Sequence, residues 1–131
     1  MSKDIYFIYF IWKIVHLRNT GRMMRKSCQP KFNVEDAQVD HIIDGVFVED
    51  PEIKCYMACI MKMANMMKNG KINYEATITQ ADVVLPPEIK ELAKEAITAC
   101  KKQMNNKDLC EAAFHTSKCI QNHNPTIFYF P

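Results

Sequence analysis

Residues 50–70, DPEIKCYMACIMKMANMMKNG, contain the features that decide the fold. Asp50 suits the N-cap of a helix, and Pro51 suits its first position. Apolar side chains then recur at helical spacing, at Ile53, Met57, Ile60, Ala64 and Met67. Asn69 and Gly70 are typical of a helix end. The stretch therefore predicts one amphipathic helix that begins at Pro51 and continues to about residue 69.

Cys55 and Cys59 stand four residues apart on this predicted helix, so their side chains share one face. They cannot pair comfortably with each other, because their Cα atoms lie near the upper limit for a disulfide and their Cβ vectors are roughly parallel. If both are oxidised, the helix is therefore bonded to two other elements.

The cysteines follow the order C-x26-C-x3-C-x40-C-x9-C-x8-C, at Cys28, Cys55, Cys59, Cys100, Cys110 and Cys119. An even number in a short chain favours a disulfide framework and an oxidising compartment. Two alternatives are six free buried thiols in a helical cytosolic protein and a zinc site. The wide x9 and x8 spacings and a single nearby histidine, His115, disfavour zinc.

Other segments also read as helices. One begins at Pro86-Pro87-Glu88 and ends at Asn105-Asn106, with an apolar stripe at Ile89, Leu92, Ala93, Ala96, Ile97 and Cys100. Further helices are predicted over 107–122, over 33–43 from an Asn33 cap, over 74–84, and before Cys28. The prediction is a single all-α domain of about six helices, without a convincing strand.

The N-terminus is the most basic part of the chain. The net charge is +2, of which residues 1–28 contribute +5 and the remainder −3. The sequence has no basic face with interleaved aromatic residues, so nucleic-acid binding is not expected. The apolar run Ile5–Trp12 is too short to span a membrane. This run is interpreted as an atypical signal peptide, an incorrectly joined start of the sequence or part of a first helix. We predict a signal-like segment at residues 1–20 and a helical domain at residues 21–131.

Enzyme motifs are absent from the sequence. It has no G-x-S-x-G, no H-E-x-x-H and no glycine-rich phosphate loop. The C-C-H-D motif of a helical, disulfide-rich phospholipase is also missing. We therefore predict no catalytic residue, no cofactor and no metal.

Several short motifs of the sequence resemble those of a known family. C-Y-M-A-C at 55–59, P-P-E-I-K-E-L at 86–92, C-E-A-A-F-H-T-S-K-C at 110–119 and the terminal F-Y-F-P are similar to the six-cysteine insect odorant-binding proteins, in the general odorant- and pheromone-binding branch. The resemblance covers about residues 24–131. It implies a compact array of about six helices around an apolar ligand cavity. It also implies the disulfides Cys28–Cys59, Cys55–Cys110 and Cys100–Cys119.

The resemblance further implies a secreted carrier of a small apolar ligand, either an odorant or a pheromone. The alternative is a secreted carrier or scavenger of a lipid, hormone or amine. Expected partners are the ligand and a membrane odorant receptor, and the expected state is a monomer or weak dimer. The expected ligand-binding residues are Met57, Met61, Ala64, Met67, Ile78, Leu85, Ile97, Phe114, Ile120, Phe128 and Phe130, the last two on a C-terminal lid. Tyr56, Thr77 and Tyr129 are candidate polar contacts, and His41, His115 and His123 are candidate pH switches for release.

Overall fold

The computed structural model describes residues 3–126, 128 and 130–131, and for residues 3–14 it describes the backbone alone. In this part of the chain the α-helices are α1 (Lys3–Phe32), α2 (Asp36–Asp40), α3 (Pro51–Met63), α4 (Tyr74–Val84), α5 (Pro87–Ala99) and α6 (Leu109–His123). A 3-10 helix (Lys101–Asn105) and two antiparallel strands, β1 (Met67–Lys68) and β2 (Lys71–Ile72), complete the secondary structure. The all-α prediction is confirmed. The proposed boundary after residue 20 falls inside α1, and the division of the chain stays a prediction.

Helix α3 begins at the predicted residue but ends earlier than predicted. Its last residue is Met63, and Asn65 follows in the left-handed conformation with φ 60°. The amide of Met66 donates to the carbonyl of Met61, and the amide of Asn65 donates to that of Lys62, both at 3.1 Å. These two bonds form a Schellman motif, which asparagine can close because it tolerates positive φ.

The segment after α3 is a hairpin rather than more helix. Met67 pairs with Ile72 and Lys68 pairs with Lys71. Asn69 and Gly70 between the strands have φ 55° and 76°, and Asn-Gly is the preferred pair for a two-residue turn with positive φ at both positions. The prediction of a helix to residue 69 without a strand was therefore wrong, because Asn69-Gly70 turns a hairpin.

Helix α2 is shorter than the predicted helix over 33–43. Asn33 has φ 54° and directly follows the last residue of α1, so it does not cap a new helix. Glu35 is the N-cap instead, and its amide donates to the side chain of Gln38 at 2.9 Å. Asn33 thus ends α1, and α2 begins at Asp36 after the Glu35 cap.

Helices α4, α5 and α6 follow the prediction more closely. The bounds of α4 are those predicted, and the side chain of Asn73 caps its N-terminus by accepting from the amide of Ala76. Helix α5 ends at Ala99 rather than near residue 105, and a 3-10 helix takes the intervening residues. Leu92 was predicted to be buried on α5, yet 43% of it is exposed.

Three disulfides connect these helices, and α3 carries two of them. Cys28–Cys59 joins α1 to α3, Cys55–Cys110 joins α3 to α6, and Cys100–Cys119 joins the end of α5 to α6. These are the pairs that the resemblance implies, and all six cysteines are oxidised. The three disulfides thus link the helices in the order α1, α3, α6, α5, and they fix the relative positions of these helices around the apolar core.

Candidate ligand-binding site

Most of the residues expected to contact a ligand lie in or against one apolar core. Some are buried in it: Met57, Met61, Ile97, Phe114 and Phe130. Others are half-buried and pack against it: Met67, Ile78, Leu85, Ile120 and Phe128. Ala64 is the C-cap of α3, because the helix ends one residue before it. These side chains come from α3, β1, α4, α5, α6 and the C-terminal segment, so one apolar region joins elements that are distant in sequence.

The C-terminal segment reaches this core through aromatic contacts. The Phe128 ring lies 6.0 Å from that of Phe47, which in turn meets Phe114 of α6 edge-on at 5.8 Å. The Phe130 ring lies 6.3 Å from that of Tyr56 on α3. Such pairs favour association beyond the area they bury. The segment is therefore docked on Tyr56 of α3 through Phe130 and on Phe47, in the loop between α2 and α3, through Phe128; the third aromatic residue, Tyr129, lies outside the described residues.

A hydrogen bond secures the last residue of the segment. The hydroxyl of Tyr56 donates to the backbone oxygen of Pro131 at 2.8 Å. A cleft of about 300 Å³ adjoins this contact and is lined by Arg18, Arg22, Arg25, Phe130 and Pro131. Arg25 also holds α2 in place, with contacts to Asp40 at 2.7 Å and to Asp36 at 2.9 Å. The Tyr56 hydroxyl, a candidate polar contact for a ligand, thus donates to the backbone of the C-terminal segment, and its role toward a ligand stays a prediction.

A charged group beside the Cys55–Cys110 bond fastens α3 to α6 a second time. The Nζ atom of Lys54, which is 8% exposed, lies 2.7 Å from a carboxylate oxygen of Glu111 and 4.9 Å from the centroid of the Phe114 ring. The hydrogen bond from Lys54 lowers the pKa of Glu111, and its reciprocal effect raises the pKa of Lys54. Sequence reasoning missed this lysine, although its position next to Cys55 places it near the bonded helix.

The three candidate histidines have different surroundings. His115 Nε2 lies 3.1 Å from Glu111 and its ring meets Phe114 edge-on at 5.2 Å. His41 lies 3.8 Å from Asp44 on the surface, and His123 borders an open surface cleft with α5. His115 thereby contacts a residue of the apolar core, Phe114. Their role as pH switches stays a prediction.

The buried threonine and serine hydroxyls of the core include one that was a candidate polar contact, Thr77, and two that were not. The hydroxyl of Thr77 donates to the carbonyl of Asn73 at 2.8 Å, so its proton is already used. Two buried hydroxyls that sequence reasoning missed lie on α6, at Thr116 (0% exposed) and Ser117 (2% exposed). Neither has a hydrogen-bond partner in the described structure. The sequence does contain a pattern that predicts their burial, since Thr116 and Ser117 stand between Ala113 and Ile120 at helical spacing.

The family model for the PBP/GOBP family matches residues 14–123, which include all six cysteines. The chain belongs to this family. General odorant-binding protein 72 of Anopheles gambiae is 36% identical over 116 residues, covering 88% of this chain and 95% of the relative. General odorant-binding protein 19a of Drosophila melanogaster is 32% identical over 117 residues, covering 86% and 80%.

Solved structures of PBP/GOBP relatives show the same fold. Odorant binding protein 5 of Apis mellifera superposes with a TM-score of 0.82 at 29% identity, over 100% of this chain and 98% of that one. Odorant binding protein 4 of Chrysopa pallens gives 0.81 at 35% identity, over 89% and 97%. This chain therefore has the all-α fold of the insect odorant-binding proteins.

Within the described residues of this PBP/GOBP member, no group of three or more His, Cys, Asp or Glu side chains could hold a metal ion. The cysteines are all in disulfides, so none can act as a thiolate nucleophile. No described helix combines the length and the hydropathy needed to cross a bilayer.

Proposed function

We propose that this protein binds a small hydrophobic ligand, an odorant or a pheromone, and carries it in extracellular fluid. The observation that carries the proposal is the PBP/GOBP match over residues 14–123. Relatives from a mosquito and a fly are named general odorant-binding proteins, and their match extends over most of this chain.

The ligand contacts the apolar side chains of α3, α5 and α6. Met57 and Met61 supply flexible, polarisable thioethers that adapt to several ligand shapes. Burial of about ten ligand methylenes contributes about 0.8 kcal/mol each, or about 8 kcal/mol before the costs of association. The corresponding dissociation constant is about micromolar, which allows both loading and release.

The C-terminal segment forms one wall of the binding site. Phe130 is 9% exposed and contacts Tyr56, while Phe128 contacts Phe47. Both phenylalanines thus pack on residues of the same core that holds Met57 and Phe114. Displacement of this segment exposes the core, so its docking controls how fast a ligand leaves.

Three disulfides support an extracellular location, because such bonds persist in oxidising compartments. A scavenger of amines is not favoured, since a buried ammonium needs a carboxylate partner. Among the residues whose side chains the structure describes, no aspartate or glutamate is buried. Contact with a membrane receptor and the oligomeric state stay predictions.

The proposal is tested by displacement of an apolar fluorescent probe with a panel of alcohols, esters, fatty acids and amines. We expect alcohols and esters to displace the probe at micromolar concentration, and amines to do so poorly. Ile97→Phe, a buried position on α5, should reduce probe affinity because the larger ring occupies ligand space. Leu92→Phe on the exposed side of the same helix is the matched control. Failure of every ligand class to displace the probe would refute the proposal.

A further inference from the structure

Two adjacent hydroxyls on α6 are buried without a hydrogen-bond partner in the described structure. Thr116 is 0% exposed and Ser117 is 2% exposed. A buried polar group without a partner destabilises a protein, and native structures contain few of them. Two at neighbouring positions require an explanation, and a hydrogen-bonding ligand would satisfy both.

The geometry of α6 directs these hydroxyls to the interior. Thr116 and Ser117 stand three and four residues after Ala113, and Ile120 follows one turn later, so the four residues form one stripe. Ala113 is 0% exposed and Ile120 packs against the core. Lys118, in contrast, is exposed on the outer face. The hydroxyls therefore belong to the buried face.

The ordinary local explanation for a helical threonine does not apply to Thr116. On α4 the hydroxyls of Thr77 and Thr79 donate to the carbonyls four residues earlier, at 2.8 and 2.9 Å. This back-bonding is the usual way in which a helix satisfies a threonine. The hydroxyl of Thr116 makes no such bond. The Thr116 hydroxyl is therefore available to form a hydrogen bond with a group outside α6.

The neighbours of the two hydroxyls lie beside the proposed ligand site. Ser117 lies three residues from Phe114 and three from Ile120, two of the residues proposed above to line the ligand site. We propose, resting on that function, that Thr116 and Ser117 form the polar end of the ligand site. They select ligands with a hydrogen-bonding oxygen, as in an alcohol, aldehyde, ketone or ester, over hydrocarbons of equal size.

The experiment compares two ligands that differ in one functional group. 1-Decanol and undecane have the same number of heavy atoms, and each is measured by displacement of a fluorescent naphthylamine probe. Thr116→Val and Ser117→Ala remove one hydroxyl each with little change in shape. We expect each to weaken 1-decanol binding by about fivefold, the effect of one net hydrogen bond, and to leave undecane binding unchanged or tighter.

Two controls separate this selection from a structural role. Thr116→Ser retains a hydroxyl and should retain the preference for the alcohol. Thr79→Val removes an exposed, already bonded hydroxyl on α4 and should change neither ligand. The unliganded Thr116→Val protein should unfold at an equal or higher temperature, because the deleted group has no partner to lose. A lower unfolding temperature would overturn the inference.

The outcomes also distinguish this inference from the function on which it rests. Equal losses for 1-decanol and undecane, or no change for either, would overturn the selection by Thr116 and Ser117 alone. Failure of wild-type protein to bind the probe and both ligands would overturn the carrier function together with the inference.

Discussion

Tyr56→Phe tests whether docking of the C-terminal segment limits ligand release. The substitution removes the 2.8 Å hydrogen bond from the Tyr56 hydroxyl to Pro131 and keeps the ring that contacts Phe130. One net hydrogen bond contributes about 1 kcal/mol, which corresponds to an approximately fivefold larger population of the undocked segment. If release passes through that state, the release rate of a fluorescent ligand rises by about fivefold in stopped-flow mixing.

Tyr74→Phe is the matched control. It deletes a hydroxyl that lies 2.8 Å from the Thr98 hydroxyl, on α4 and away from the C-terminal segment. The release rate should be unchanged in this variant. A Tyr56→Phe protein that releases ligand at the wild-type rate would refute the reasoning, as would an equal acceleration in both variants.

Three further predictions concern stability. The double variant Cys55→Ala/Cys110→Ala opens a loop with a sequence separation of 55 and should lower the free energy of unfolding by about 4 kcal/mol in urea titrations; a loss below about 1 kcal/mol would contradict the cross-linking argument. The lowered pKa of Glu111 stabilises the fold above the ordinary value of 4.5, and that stability is lost as pH falls through the folded-state value. Glu111→Gln should therefore flatten the decline of melting temperature with pH below 4.5, and parallel curves for the two proteins would disprove this. Gly45→Ala and Gly70→Ala both place a side chain at positive φ, but only at Gly45 would the new Cβ lie 2.7 Å from the Gln121 side chain. Because the Gln121 amide stands at the end of a flexible side chain and can move aside, both variants should lose stability to a similar extent in thermal unfolding, about 1 kcal/mol from the φ strain, and a loss at Gly45 more than about 1 kcal/mol larger than at Gly70 would contradict this.

Helix identity and helix beginnings could be predicted where local chemistry is strong. Asp50-Pro51 and Pro86-Pro87 mark the starts of α3 and α5, and the bounds of α4 agree with the prediction. The end of α3 could not be predicted from periodicity. Methionines continue at helical spacing beyond Met63, and only the pairing of β1 with β2 makes Asn69-Gly70 a hairpin turn.

The candidate site was predictable in its apolar part and not in its polar part. Met57, Met61 and Phe114 are buried as their helical spacing indicates. The exposure of Leu92 depends on where α5 meets α4 and α6, which is a property of tertiary packing. The free hydroxyl of Thr116 depends on the absence of a back-bond that Thr77 makes, and a sequence does not distinguish the two threonines.

Placement of both Cys55 and Cys59 on α3 has a consequence for how this protein can change over evolutionary time. Covalent bonds, and not only side-chain fit, keep α1, α3, α5 and α6 together. The side chains at interior positions therefore need to supply a smaller share of the stability of the fold. Substitutions at such positions can alter chemical preference before they threaten the architecture, so new specificities are accessible through single replacements.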